Sequence, residues 1–198
     1  GTAPRKCAAT DIHIGGLAHV GVLCAHFRGD LSATREAVHR HISLTHRSPE
    51  VLTAADAMVK IACDLLSQVP LREAILVHSS DWFSKRKALE WSKDPDEVVV
   101  GTRVSPACYI ADAFPASLYL AWKYDGDFEG GVTANANVGG DNCHRGAVLG
   151  ALIGGAVGVS RMPQRYVDDI DDATRLKSQI EAIVPQSRTP PLSSNKHH

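Results

Sequence analysis

Between Gly146 and Gly158 a glycine returns at every fourth residue, as Gly146, Gly150, Gly154 and Gly158, with Ala147, Ala151 and Gly155 beside them. Residues four apart lie on one face of a helix, so the repeat draws a stripe almost without side chains. Each glycine costs a helix about 1 kcal/mol relative to alanine, and a helix that keeps them must recover that cost through its surroundings. Close approach of a neighbouring helix along the stripe is the expected means. The run is too short for a bilayer, which takes about 20 apolar residues. The spacing therefore predicts a buried, closely packed helix within a water-soluble core.

Helical periodicity recurs through the rest of the chain. Ile12–Ala25 reads either as a glycine-interrupted buried helix or as a strand and turn, closed by Gly29-Asp30. Leu31–Leu44 carries Leu31, Thr34, Val38 and Ile42 on one face. Ser48-Pro49-Glu50 has the order of an N-cap, a first-turn proline and a first-turn acid, and the apolar steps from Val51 to about Val69 predict a long helix ended by Pro70. Further helices are expected over Leu71–Val77, Ser84–Ser92, Ala107–Lys123 with Pro115 inside it, and Phe128–Asn137. Val98-Val99-Val100 is a β-like run too short to make a sheet. Arg165–Val184 predicts one exposed helix, with Asp168, Asp169, Asp171 and Asp172 in its first turns, where the helix dipole favours anions. Pro185–His198 is Pro- and Ser-rich and reads as a disordered tail. The fold class is all-α: one helical domain over residues 1–160, then a terminal helix and tail over 161–198.

The whole chain has 198 residues, 44% of them hydrophobic, enough for a single core. A formal net charge of −1 announces no basic surface, so nothing favours nucleic acid as a partner. No apolar run is long enough for a membrane span. The five cysteines are odd in number and contain no CxxC, which argues against a disulfide framework or a zinc knuckle and for a reducing, intracellular, cytoplasmic setting. The start, Gly1-Thr2-Ala3-Pro4, has neither an initiator Met nor an apolar signal core, so the domain is expected to be N-terminally incomplete and to begin inside a longer protein.

Polar chemistry concentrates just before the glycine-rich helix. Asn135, Asn137, Asp141, Asn142, Cys143, His144 and Arg145 surround Gly139-Gly140, which lets the backbone bend tightly and approach a ligand. The unpaired N–H groups of the following helix offer an anion site, and Asp141 with Cys143 or His144 can hold a divalent cation if the three side chains converge. The alternative is structural: Asp141 or Asn142 as a helix N-cap, Gly-Gly as a loop, Arg145 as a surface side chain. Cys143, at a helix N-terminus, is placed as a nucleophile would be, but no acid–base partner can be assigned, so no catalytic residue is named.

The segment NANVGGDNCHRGAVLGALIGGAVGV, Asn135 to Val159, resembles the C-terminal signature of the ADP-ribosylglycohydrolase family: Gly-Gly-Asp, a metal-binding variant of x-Asp-Thr, then a Gly/Ala-rich helix. Leu44-Thr45-His46-Arg47-Ser48-Pro49 resembles that family's Thr-His segment before a long helix. Ala111–Tyr119 resembles its Pro-containing helix and Asp127-Phe128-Glu129 the turn after it, all in family order. The resemblance implies an all-helical fold and metal-assisted hydrolysis of the bond between the anomeric carbon of ADP-ribose and its acceptor. Two Mg²⁺ ions would be held by an N-terminal Thr-Asp-Asp motif and a C-terminal Asp-x-Asp-Thr motif. It implies Asp141, Cys143 and His144 at the metal, with Asn137, Gly139, Gly140, Asn142, Arg145 and His46 lining the ligand pocket. The ligand would be an ADP-ribose-containing small molecule or an ADP-ribosylated protein. Cys143 and His144 stand where the pattern has Asp and Thr, and softer ligands favour zinc-like ions over Mg²⁺. Thr10-Asp11-Ile12 echoes the N-terminal motif but lacks its second Asp and lies close to the C-terminal one, so it is taken as chance. His46 is equally readable as a packed or capping histidine. The second implied class is a catalytically inactive relative acting as a binding or crystallin-like structural protein.

Overall fold

The computed structural model describes residues 8–28 and 30–183 and is all-α over that range, with only isolated backbone bridges and no strand among the described residues. A 3-10 turn, Ile14–Leu17, leads into α1 (Val20–Phe27), α2 (Leu31–Ile42), α3 (Pro49–Leu66), α4 (Leu71–His78), α5 (Lys85–Trp91), the single turn α6 (Asp96–Val98), α7 (Ile110–Lys123), α8 (Phe128–Asn137), α9 (Asn142–Val157), α10 (Arg165–Asp168) and α11 (Ala173–Ile183). The expected Pro185–His198 tail, and Gly29 of the expected closing turn, lie outside the described residues.

Helix starts follow local chemistry. Asp30, Asp127 and Asp141 each cap a helix by accepting a backbone N–H, from Ala33 (3.0 Å), Gly130 (2.9 Å) and His144 (3.4 Å). At α3 the capping expectation holds only in position: Ser48 is at the N-cap and Pro49 opens the helix, but the buried Ser48 side chain makes no capping hydrogen bond. The helix expected from Ala107 starts at Ile110 and keeps the buried Pro115 inside it. The β-like valines end α6 and enter a kink, where Gly101 takes φ 148° and Val99 and Val100 are buried. The single terminal helix expected from Arg165 is two helices, separated by a bend where Asp172 adopts a left-handed φ of 63°. Four acidic side chains in one short stretch find more solvent in a bend than in a continuous turn.

The core is built around α7 and α9. Ten of the fourteen residues of α7 are buried, and α9 packs against α8, α7, α3, α1 and the Ile14–Leu17 turn. The glycine stripe explains this only in part. At Gly154 a methyl would lie 2.7 Å from Met162 Cε, and at Gly146 3.0 Å from Asn135 Nδ2, but at Gly150 it would meet nothing within 4 Å. The tightest helix approaches come instead from glycines on the neighbours: a methyl at Gly21 of α1 would lie 2.9 Å from Ala151 Cβ, and one at Gly131 of α8 2.6 Å from Ile153 Cδ1. Around α7, Phe83, Trp91 and Tyr119 form an edge-on aromatic cluster. Asp96 then ties α6 to the end of α7, accepting from Tyr119 Oη (2.7 Å), Lys123 Nζ (2.7 Å) and Tyr124 Oη (2.6 Å).

Two predictions follow from this packing. Gly150→Ala should raise stability by about 0.5–1 kcal/mol through helix propensity alone, whereas Gly21→Ala should lower it by roughly 1–3 kcal/mol because Ala151 has no flexible end to yield; denaturant midpoints measure both. For Asp96, burial raises the carboxyl pKa, but the hydrogen bonds from Lys123, Tyr124 and Tyr119 and the Lys123 charge bring it below the ordinary value. Burial and then Asp96 push Tyr124 up to about 12. A depressed carboxyl stabilises fully above its unfolded pKa, about 3.9, and loses that contribution as pH falls through the lower folded value. Asp96→Asn should therefore cost about 1–3 kcal/mol at pH 7, with the gap to the parent closing below about pH 4, as read from thermal melts.

Candidate active site

The corner before α9 is fixed by a pair of left-handed glycines and one buried arginine. Gly139 and Gly140 have φ of 67° and 68°, a conformation that carries little penalty only for glycine. Gly140 is constrained twice, since a methyl there would lie 2.1 Å from the Pro106 carbonyl oxygen. That same carbonyl accepts from Asp141 N at 3.0 Å. Beneath the corner Arg145 is fully buried. Its Nε donates to Asn135 Oδ1 (2.7 Å), its Nη2 to the carbonyls of Gly139 (2.7 Å) and Asn135 (3.2 Å), and its Nη1 to the Pro106 carbonyl at 3.4 Å. Asn135, also buried, returns a bond from Nδ2 to the Asn142 carbonyl at 2.9 Å. Burial pushes the Arg145 guanidinium pKa down while nearby Asp141 acts the other way.

This corrects the expectations for Arg145. It is neither a surface side chain nor free to line a ligand pocket, because its donors are turned inward onto backbone carbonyls that would otherwise be buried without partners. Asn137 is also displaced from its expected place: it lines a separate cavity of about 330 Å³ with Asp96, Glu97, Tyr124 and Thr133. Asn142 is half-buried and donates from Nδ2 to the Ala136 carbonyl at 3.4 Å.

Asp141, Cys143 and His144 do not converge as a ligand set. Asp141 caps α9 and holds the His144 ring through Nδ1 at 3.0 and 3.1 Å. Cys143 is exposed, with its thiol 3.7 Å from Asn142 Oδ1. Among the described residues, no group of three or more His, Cys, Asp or Glu side chains is placed to hold a metal ion. The donor chemistry disagrees with magnesium as well: Asp141 offers one hard carboxylate, already engaged by its own helix, beside a thiol and an imidazole. These residues do not fit a Mg²⁺ pair.

The Ile14–Leu17 turn brings further polar groups to this corner. A methyl at Gly15 would touch His144 Nε2 and Cδ2 at 3.3 Å, and one at Gly16 would lie 3.1 Å from His46 Cγ, so the turn runs between the two imidazoles. His46 is packed, with only 15% of its side chain exposed. Its Nδ1 meets Thr45 Oγ1 at 2.8 Å, and its Nε2 lies 3.9 Å from Asp11 Oδ2. Asp11, set aside as a chance echo in the sequence, pairs with His13 through both its ring and its backbone N–H. Burial raises the Asp11 pKa, but the His13 and His46 contacts bring it below the ordinary value. His13 stacks on Tyr109 at 5.2 Å. The segment is pinned across the domain by single hydrogen bonds: Arg47 N to Ala9 O (2.7 Å), Ile14 N to Cys108 O (2.8 Å) and Ile110 N to Ile12 O (2.8 Å). Asp11, His13, Gly15 and Tyr109 are thus corner-forming residues that the sequence alone does not place there. Only the glycine pair at Gly15-Gly16 gave a local hint, since the placement of the rest depends on contacts from 35 to more than a hundred residues apart, Asp11 with His46, His13 with Tyr109 and Gly15 with His144.

The sequence model of the ADP-ribosylglycohydrolases matches residues 2–192, nearly the whole chain. The chain belongs to the ADP-ribosylglycohydrolase family. A search of curated proteins finds no match. Its all-α architecture agrees with that membership, and no helix among the described residues is long and apolar enough to cross a membrane.

The corner's dependence on Arg145 is testable. Lysine offers a point charge without the planar fork and leaves several carbonyls unpaired, so Arg145→Lys should destabilise this family member by roughly 3 kcal/mol, measured by denaturant unfolding. A loss under about 0.5 kcal/mol, the range of ordinary surface substitutions, would show that the corner does not rely on it.

Proposed function

We propose that this family member hydrolyses ADP-ribosyl linkages, binding the ADP-ribosyl group where the Ile14–Leu17 turn meets the start of α9. One observation carries the reading: the carboxylate of Asp141 holds the imidazole of His144 through Nδ1 at 3.0 Å at the corner occupied by the family's Gly-Gly-Asp motif. A neutral imidazole whose Nδ1–H donates to a carboxylate keeps a lone pair on Nε2. His144 is then the group that takes the proton from water as its oxygen bonds to the anomeric carbon. The bond from that carbon to the acceptor breaks, and the acceptor leaves with the electron pair and takes up a proton from solvent. Asp141 orients the imidazole and stabilises the cation that forms. No step is assigned to magnesium, whose ligand set these residues do not supply. The substrate is an ADP-ribosylated protein or an ADP-ribose-containing small molecule, the class handled by the family.

The second reading, a relative that binds ADP-ribose without cleaving it, is favoured by the presence of Cys143 and His144 where two oxygen ligands are expected. Calorimetry with ADP-ribose, with and without Mg²⁺, and release of ADP-ribose from a modified protein separate the two. The hydrolase reading expects saturable binding and turnover, with His144→Asn lowering kcat about 10²- to 10⁴-fold while binding is retained. Binding without turnover selects the second reading, and absence of both removes the ADP-ribosyl assignment.

A further inference from the structure

His19 and His41 are two histidines whose rings meet each other. Every other histidine among the described residues rests a ring nitrogen on an oxygen: a carboxylate at His13, His39, His78 and His144, a hydroxyl at His46 and a backbone carbonyl at His26. His41 lies in the last turn of α2, beside the buried Ile42, and His19 stands just before the buried Val20 that opens α1. The two helices pack on one another, and the two exposed rings meet at their seam. Neither ring has another polar partner among the described residues.

The geometry of the pair is that of two ligands on one ion. Nδ1 of His19 and Nε2 of His41 are 3.4 Å apart, long for a hydrogen bond from a ring N–H. The ring centres are 5.2 Å apart and the planes are 79° from one another, so the rings do not stack. On a tetrahedral zinc with nitrogen bonds of about 2.0–2.1 Å, two imidazoles hold their nitrogens about 3.3–3.4 Å apart and their ring centres about 5.2 Å apart. Both distances are met at once. A linear hydrogen bond at the same nitrogen separation would put the ring centres about 5.7 Å apart. The rings therefore approach at a bend, as ligands sharing an ion do.

We propose that His19 and His41 form a two-imidazole site for a divalent ion of the zinc class, with water in its other positions. No group of three or more His, Cys, Asp or Glu side chains gathers around an ion among the described residues, so the site is weaker than the closed four-ligand sites that hold structural zinc. Nitrogen donors select Zn²⁺, Cu²⁺ or Ni²⁺ and leave Mg²⁺, which takes oxygen ligands, unbound. His19 lies two residues beyond the Ile14–Leu17 turn, so the ion ties the exit of that turn to the end of α2. Neither ring belongs to the Asp141–His144 pair, and the site does not rest on the hydrolase reading.

The test is a Zn²⁺ titration of the whole chain, followed by nitrogen NMR of the imidazole rings, with Mg²⁺ as the control ion. The His19 and His41 rings are assigned by the loss of each signal in His19→Asn and His41→Gln. Asparagine keeps a capping side chain at the start of α1, and glutamine is a good helix former in α2. Both positions are exposed, and circular dichroism checks that the variants fold. In the parent the two rings should move with a common midpoint below about 1 mM Zn²⁺, while Mg²⁺ moves neither. In each variant the remaining ring should need at least about tenfold more Zn²⁺, one decade in Kd. Reading the two rings themselves keeps ions taken up elsewhere on the chain out of the measurement. Rings that stay unmoved by Zn²⁺ overturn the proposal and leave the pair a bent hydrogen bond. A remaining ring that titrates in its variant as it does in the parent also overturns it, since the two then take up ions separately, and so does an equal response to Mg²⁺.

Discussion

The start of α9 depends on a guanidinium that no water reaches. Arg145 gathers the Asn135 side chain and the carbonyls of Asn135, Gly139 and Pro106, which belong to three separate stretches of chain: the end of α8, the Gly139-Gly140 corner, and the loop before α7. A backbone that turns through two left-handed glycines points carbonyls inward, where they need donors. A planar group with five N–H donors on a fixed fork can serve several at once. Taking that charge out of water carries a desolvation penalty, visible in the downward push on the guanidinium's own pKa. The bonds that offset the penalty form only when all three stretches are in register. The arginine therefore fixes the direction in which Asp141 and His144 leave the corner, and so the geometry of the site.

Much of the fold was legible in the sequence, for local reasons. Apolar steps at three and four residues, a first-turn proline at Pro49 and aspartates before helix starts place α2, α3, α4, α8 and α9 within a residue or a few of where they lie. What failed was whatever needed a partner's position. The glycine repeat was read as a stripe for close approach, yet Gly150 faces open space, and the closest helix contacts are made by Gly21 and Gly131 on other helices. A four-residue period says which residues share a face; it does not say which of two facing helices gives up its side chains. Likewise, the aspartates after Arg165 were assigned to a helix dipole, but four carboxylates in five residues repel one another enough to favour the bend that lies there.

The site was legible by half. Gly139, Gly140 and Asp141 stand out because a glycine pair before a capping acid leaves a local signature, and the structure places them together at the start of α9. The other half comes from residues 9–16, held by isolated hydrogen bonds to Arg47, Cys108 and Ile110 rather than by any periodic element. Such pairing has no footprint in a single sequence, so nothing in the residue order ties Asp11 or His13 to this corner. Arg145 was misread for a related reason. A cation in the first turn of a helix belongs, by default, at the surface, and only inward carbonyls six to thirty-nine residues away along the chain explain its burial.

The same corner shows what the change from oxygen ligands does to the chemistry. A carboxylate that coordinates a hard cation spends its lone pairs on the metal. With Cys143 and His144 where an acid and a hydroxyl are expected, no group of three or more His, Cys, Asp or Glu side chains gathers to hold an ion among the described residues, and the Asp141 oxygens turn to their own helix and to the His144 ring. The turn at Gly15 then matters: any side chain there would press on that ring at 3.3 Å. Gly15 thus leaves room for the imidazole against the turn while Asp141 holds its Nδ1 edge. A bare turn on one side and a capping acid on the other suit a carboxylate–imidazole pair, the arrangement on which the proposed reading rests.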